Sequence, residues 1–257
     1  MTLQRWSVRR VLEWTGRDFE RRGVESSRLS AELLLAHTLR TDRIALIVHP
    51  ERELSDAELA CFRELIKRRR AAEPVAYLVG EREFYGHPFR VDSRVLIPRP
   101  ETEILVEVAL RRTSARYAYG RALDLCTGSG CVAIAFAKAR PGWKIFASDI
   151  SEPALEVARA NSLRLGTVHQ VALVCGDLFQ PFQGFAPFTL ITANPPYILE
   201  CELNHLPATI RDYEPRVALQ GGSDGLEVLR RIVAAAGEHL QPGGVLALEV
   251  GFDQSAS

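Results

Sequence analysis

Apolar positions recur along this chain in two patterns, and the change from one to the other divides it. In the first 80 residues Val8, Val11, Leu12 and Phe19 follow helical spacing, as do Leu29, Leu33, Leu34 and Leu35, and no alternating pattern of comparable length competes. A third helix is predicted where Ser55-Asp56-Ala57-Glu58 matches a capping box, the serine accepting from the backbone and the glutamate reaching back. It continues through Leu59, Phe62, Leu65 and Ile66 to the basic run Lys67-Arg68-Arg69-Arg70, where positive charge suits the negative end of the helix dipole. A partner-binding patch is the competing reading of that run.

Short apolar segments around Gly86 and Pro88, from Glu83 to Val91, predict a hairpin, and residues 81–97 read as the linker between two domains. Val95-Leu96-Ile97-Pro98-Arg99-Pro100-Glu101-Thr102-Glu103 then leads into a helix with Pro100 in its first turn. From Ala122 the second pattern takes over. Continuous apolar strands at 122–125, 144–147, 171–174, 188–193 and 245–250 alternate with helices after Gly130, from about Glu152 and over about 225–240. That alternation specifies an α/β fold with a mostly parallel sheet covered on both faces. Ligands in such sheets bind beyond the carboxyl ends of the strands, where the strand order reverses.

Composition narrows the function without choosing it. The chain has 257 residues, 47% hydrophobic and 25% charged, enough for two cores. Lys plus Arg equals Asp plus Glu at 32 each, so no broad phosphate footprint for nucleic acid or anionic membrane is expected. No apolar run approaches the ~20 residues that span a bilayer, and the start, Met-Thr-Leu-Gln-Arg-Trp-Ser, lacks a signal-peptide core, so a cytoplasmic protein is expected. Five cysteines without Cys-x-x-Cys spacing and six scattered histidines predict neither a disulfide framework nor a metal site.

The chemistry-bearing residues fall at strand ends. Asp124-Leu125-Cys126-Thr127-Gly128-Ser129-Gly130 closes the first strand of the sheet, and Gly128 and Gly130 permit the tight turn and close backbone approach that a nucleoside cofactor needs. Asp149, at the end of the next strand, stands where a carboxylate accepts from both ribose hydroxyls, about 20 residues on. Asp177, just past the third strand, is a candidate acceptor for an adenine amino group. Taken singly, each Asp reads equally as a cap or turn former. The loop lacks a phosphate-binding lysine, which argues against a nucleoside triphosphate, and its glycine spacing departs from that of nicotinamide-binding loops.

The fourth strand stops at Asn194-Pro195-Pro196-Tyr197. Two prolines remove two backbone donors and hold the turn extended. The Asn194 side-chain oxygen and the Pro195 carbonyl are acceptors able to hold both hydrogens of a planar amino or amide group. That suits methyl transfer from a sulfonium to nitrogen, because fixing both hydrogens aims the lone pair and stabilises the developing positive charge. Tyr197 offers a ring to pack against the flat acceptor.

At these residues the sequence resembles S-adenosylmethionine-dependent methyltransferases that act on amino groups. More closely it resembles the peptide-chain-release-factor glutamine methyltransferases (the PrmC/HemK family), through the segments Pro74–Gly86, Val95–Glu103 and Tyr213–Leu219. The resemblance covers residues from about 74 to the end. It implies a Rossmann-like methyltransferase domain over 98–257 and a small helical domain over 1–80 that docks the release factor. It also implies a cytoplasmic, monomeric enzyme that methylates the glutamine of the Gly-Gly-Gln loop of release factors, with no nucleic-acid substrate and no membrane.

Onto the family's cofactor positions fall Cys126, Thr127, Gly128, Ser129, Gly130, Asp149, Asp177, Leu178 and Asn194, and onto its substrate positions Asn194, Pro195, Pro196 and Tyr197. Leu178 stands where some members place a tryptophan beside adenine. Cys126 stands where the family usually has glycine, so the turn must be made without a residue freely permitting positive φ, and its side chain is expected to crowd the cofactor. Family members continue past the fifth strand through a helix and two more strands, so the domain reads as C-terminally truncated, with strand 245–250 at or near a sheet edge. Two other functions are open: a nucleic-acid amino methyltransferase, and a release-factor-binding protein catalytically impaired by these departures.

Overall fold

The structure is a computed structural model that describes residues 6–114, 118–252 and 254, and the chain divides into two compact units, Met1–Gly80 and Glu81–Ser257. The first unit is helical: α1 (Val8–Arg21), α2 (Ser27–Leu39), α3 (Arg43–Val48), α4 (Asp56–Arg70) and α5 (Val75–Val79). Phe19, Leu34, Leu35, Phe62 and Ile66 meet in its core. The capping box forms as the sequence predicts, Ser55 accepting from the Glu58 amide and Glu58 from that of Ser55.

Helix α3 has no counterpart in the sequence reading. It is held by Asp42, whose side chain accepts from the Ala45 amide, and buries Leu46 alone, so it lacks the repeated apolar face by which a helix is recognised. The basic run is neutralised within its own unit. Arg68 pairs with Glu73, Arg70 with Asp18 at 2.8 Å, and Arg69 is buried.

The second unit begins with the hairpin β1 (Glu81–Phe84) and β2 (His87–Arg90), turned at Tyr85 and Gly86, both at positive φ. Expected as part of a linker, the hairpin is instead core structure of this unit. Phe84 and Phe89 meet edge to face at 5.9 Å and are fully buried in one cluster with Val106, Phe136 and Trp143. Then follow α6 (Thr102–Ser114), β3 (Arg121–Leu125), α7 (Cys131–Ala139), β4 (Lys144–Asp149), α8 (Glu152–Arg164), β5 (Val171–Cys175), β6 (Phe188–Ala193), α9 (Ala208–Arg211), α10 (Glu227–His239) and β7 (Leu240–Leu248). Pro100 lies just before α6, in the turns that precede it, rather than within its first turn.

The five strands β3–β7 form one parallel sheet in the order β5-β4-β3-β6-β7. The chain winds outward from β3 through β4 to β5, then returns to add β6 on the other side. The order therefore reverses between β3 and β6, which opens a crevice above their carboxyl ends. Strand β7 lies at the edge, as expected for 245–250, but it starts earlier, at Leu240, and ends at Leu248. Gln241-Pro242-Gly243-Gly244 reads as a loop in sequence. In the sheet Phe188 pairs with Leu240 and Leu190 with Val245, so the extra residues are absorbed as a bulge with Gly243 at φ 75°.

Candidate active site

The loop from β3 to α7 turns through three residues of positive φ: Cys126 at 55°, Gly128 at 55° and Gly130 at 80°. Glycine is required at Gly130, where a Cβ would sit 3.0 Å from Ile134 Cδ1 and 3.2 Å from Ala158 Cβ. Cys126 makes its left-handed turn with a side chain, the strained arrangement the sequence predicts at that position. Its sulfur packs against the apolar cluster of Leu123, Leu125 and Phe179, and burial pushes its thiol pKa up, so the sulfur is a neutral space-filling group.

Asp124 is buried below the loop and receives the hydroxyls of Thr127 at 2.6 Å and Thr192 at 2.7 Å. It thereby ties the loop to β6. Burial pushes its pKa up to about 6 against the opposing hydrogen bonds from Thr127 and Thr192. Asp149 closes the other side of the loop: Oδ2 accepts from the Gly128 amide at 2.8 Å and Oδ1 from the Ser151 amide at 2.9 Å. Burial also raises its pKa, opposed by these backbone donors. With the Ile150 amide, three backbone donors use three of the roughly four acceptor directions of the carboxylate and leave one for a ligand.

Behind the loop stands Asn161 of α8, fully buried. Its amide nitrogen donates to the carbonyls of Ser129 at 2.9 Å and Arg90 at 3.0 Å, and its oxygen accepts from the Arg90 amide at 2.7 Å. One side chain therefore joins hairpin, helix and the glycine loop. Nothing in the sequence pattern marks it, because its partners are backbone groups 32 and 71 residues away.

The Asn194-Pro195-Pro196-Tyr197 turn sits at the end of β6 and is braced from three directions. Residues 198–200 pair with 219–222, Ile198 donating to Leu219 and receiving from Gly221. At Gly221 a Cβ would lie 2.7 Å from Tyr197 Cα and 2.8 Å from the Pro196 oxygen, so glycine is what lets that strand of backbone approach. Gln254 Nε2 donates to the Tyr197 carbonyl at 3.1 Å. Glu214, buried in the segment Tyr213–Leu219, receives the Ile97 amide at 3.2 Å and the Arg99 guanidinium, which ties that segment to the loop entering α6. Asn194 itself donates its amide nitrogen to Thr102 Oγ1 at 3.2 Å, leaving the Oδ1 acceptor for the crevice.

These elements enclose a cavity of about 510 Å³, within the range of small-molecule sites. Of the sequence-predicted residues, Cys126, Thr127, Gly128, Ser129, Asp149, Asp177, Leu178, Asn194 and Pro196 line it, and Gly130, Pro195 and Tyr197 stand outside the lining. Tyr197 is half-buried, with its pKa raised by burial and by the neighbouring Glu249. Asp177, expected to face adenine, has its Oδ2 in an ion pair with Arg231 of α10 at 2.6 Å. Leu178 is buried at φ 46° and forms an apolar wall. Thr102, Arg231, Glu249 and Asn161 carry no role in the sequence reading.

The lining suits S-adenosylmethionine. Ser129 Oγ is buried without a hydrogen-bond partner among the described residues, Asp149 offers an acceptor, and Leu178 and Val228 offer apolar contact. A parallel sheet reversing at such a cavity, with an acceptor turn opposite the glycine loop, defines an S-adenosylmethionine-dependent methyltransferase.

Comparison with known proteins agrees at each level. Residues 10–80 match the family model described as the PrmC N-terminal domain, and residues 100–206 the methyltransferase small domain. The catalytic domain of hMettl16, solved with the MAT2A 3′UTR hairpin 6, shares the fold at a TM-score of 0.51 and 15% identity, over 66% of this chain and 63% of that one. The release factor glutamine methyltransferase of Geobacter sulfurreducens is 44% identical over 97% of this chain and 86% of its own length. That of Rhodopirellula baltica is 42% identical over 95% and 84%. The chain belongs to the release factor glutamine methyltransferase family.

Proposed function

We propose that this chain transfers a methyl group from S-adenosylmethionine to the side-chain amide nitrogen of the glutamine in the Gly-Gly-Gln loop of translation release factors. The observation that carries the reading is Asn194, which lines the same cavity as the Cys126–Gly130 loop and Asp149 while its amide nitrogen is engaged by Thr102. An asparagine held in this way offers an oxygen, and an oxygen is what a glutamine NH2 requires.

The glycine loop, Ser129, Asp149 and Leu178 are the residues that would hold the cofactor. When bound, S-adenosylmethionine would supply a methyl group on a positively charged sulfur; the amide nitrogen gains that methyl, the electron pair of the broken sulfur–carbon bond stays on sulfur, and one amide proton passes to solvent. Asn194 Oδ1 and the Pro195 carbonyl accept the two amide hydrogens, orient the nitrogen lone pair toward the cavity and stabilise its growing positive charge. The ring of Tyr197 packs beside the acceptor plane. Gly130 acts from behind the lining by letting the loop pack on α8.

In this reading the helical unit 1–80 docks the release factor and the domain from 98 onward carries the chemistry. The enzyme works as a cytoplasmic monomer on protein rather than nucleic acid, which the formal net charge of zero supports. Among the described residues no helix is long and apolar enough to cross a membrane. Mass spectrometry of a release factor incubated with the protein and cofactor tests the reading. A gain of about 14 Da, one methyl for one hydrogen, is expected on the Gly-Gly-Gln glutamine. Methyl on another residue, or on DNA alone, would overturn it.

A further inference from the structure

Strands β6 and β7 pair in parallel with Ala193 opposite Leu248. The residues that immediately follow them, Asn194 and Glu249, therefore leave the sheet side by side, and the Glu249 amide still donates to the Ala193 carbonyl at 3.0 Å. The Glu249 side chain lies beside those of Asn194 and Thr102. Its Oε2 is buried without a hydrogen-bond partner among the described residues, and its charge is favoured by the side chains of Asn194 and Thr102. A carboxylate with one oxygen buried and unsatisfied is costly to keep. Its position beside the candidate acceptor-binding asparagine gives it a use.

We propose that Glu249 is a positioning residue for methyl transfer: its carboxylate, with Thr102, holds the Asn194 NH2 inward and so presents the Asn194 oxygen to the substrate amide. The inference rests on the function proposed above. An asparagine amide with its two ends equally solvated has no reason to prefer either orientation. Here the reversed orientation would place Oδ1 against a carboxylate, so the charge of Glu249 selects the one that offers an acceptor to the crevice. The same negative charge lies behind the nitrogen on which positive charge develops.

Protonation should undo the selection, because a neutral carboxyl can donate to Oδ1 as readily as it accepts from Nδ2. The groups facing Glu249 are Arg99 and Glu101 before α6, Thr102 on α6, Cys131 at the start of α7, and Asn194 and Tyr197 after β6. Burial, with Glu101, raises its pKa above the ordinary carboxylate range against Thr102, Asn194 and Arg99. Turnover should therefore fall as pH drops through that raised pKa.

The test measures radiolabelled methyl transfer to a release factor across pH for the full chain and for Glu249→Gln and Glu249→Ala. The side-chain NH2 signal of Asn194 is followed by ¹⁵N–¹H correlation without cofactor. Glu249→Ala is expected to lower kcat on the order of 100-fold with KM for the release factor and cofactor affinity by calorimetry nearly unchanged. Its Asn194 NH2 signal should lose its protection from exchange. The near-isosteric Glu249→Gln is expected to recover part of kcat and to lose the acidic limb. An acidic limb that survives in Glu249→Gln would assign it to Asp124, and equal kcat in all three proteins would leave Glu249 a packing residue. Either result overturns the inference while a methylating wild type upholds the reading beneath it, and a wild type that transfers no methyl overturns both.

Discussion

Replacing Cys126 by glycine and, separately, by alanine separates two contributions that one substitution would mix. Cys126 holds φ 55° in the turn of the glycine loop and packs against an apolar cluster that contains Leu123, Leu125 and Phe179. Both variants lose the sulfur and its packing, so their difference isolates the backbone. A side chain in the left-handed region costs about 1–2 kcal/mol. Glycine relieves this but gives back about 0.4–1 kcal/mol by loosening the unfolded chain. The two work out to a net advantage of about 0.5–1 kcal/mol for Cys126→Gly over Cys126→Ala, or about 1–4 °C in midpoint for a domain of this size. Chemical denaturation of the two variants, followed by calorimetry with S-adenosylmethionine, reads both consequences. If the sulfur crowds the cofactor, both variants bind it more tightly than the wild type; if the strained turn limits binding, only the glycine variant does. An alanine variant as stable as the glycine variant would refute the strain assigned to this turn.

Asn194→Ala should abolish transfer while leaving calorimetric cofactor affinity within about threefold, since its oxygen orients the acceptor amide; retained turnover would remove it from the mechanism. Asp124, with its pKa raised to about 6 from 3.8, binds its proton more tightly folded than unfolded. Its contribution is therefore fully present below about pH 3.8, declines through that window and is lost above about 6, a fall of about 3 kcal/mol. The difference in denaturation midpoint between wild type and Asp124→Asn across pH 3–7 should show that slope, and a flat difference would contradict it. Asn161→Ala strands the amide and carbonyl of Arg90 and the carbonyl of Ser129. It should cost about 3 kcal/mol or more, and urea denaturation that places the loss below about 1 kcal/mol would show that water replaces those partners.

Much of this molecule was legible in its order of residues. The capping box at Ser55, the strand 188–193 and the glycine loop are local events, decided by residues within a few positions of one another, so their sequence signals survive intact. Even the left-handed turn at Cys126 was expected, from the resemblance to a family that usually has glycine there. What the pattern misjudged were segments whose state depends on a distant surface. The hairpin 81–90 looks like a connector until Phe84 and Phe89 find the Val106 and Phe136 side of a core. Gln241-Pro242-Gly243-Gly244 looks like a loop until β6 pairs with Leu240 and Val245 on either side of it and makes it a bulge.

The site divides the same way. The sequence by itself determined which residues are the candidates for chemistry, because Asn194 and Asp149 are marked by the strands they end and the prolines or glycines beside them. Only the tertiary structure decided how those residues are held and oriented. Thr102, Asn161, Glu214, Arg231 and Glu249 act through partners 32 to 117 residues away or across paired strands. A hydrogen bond between such residues leaves no periodic trace, because it depends on where the folded backbone brings two side chains together.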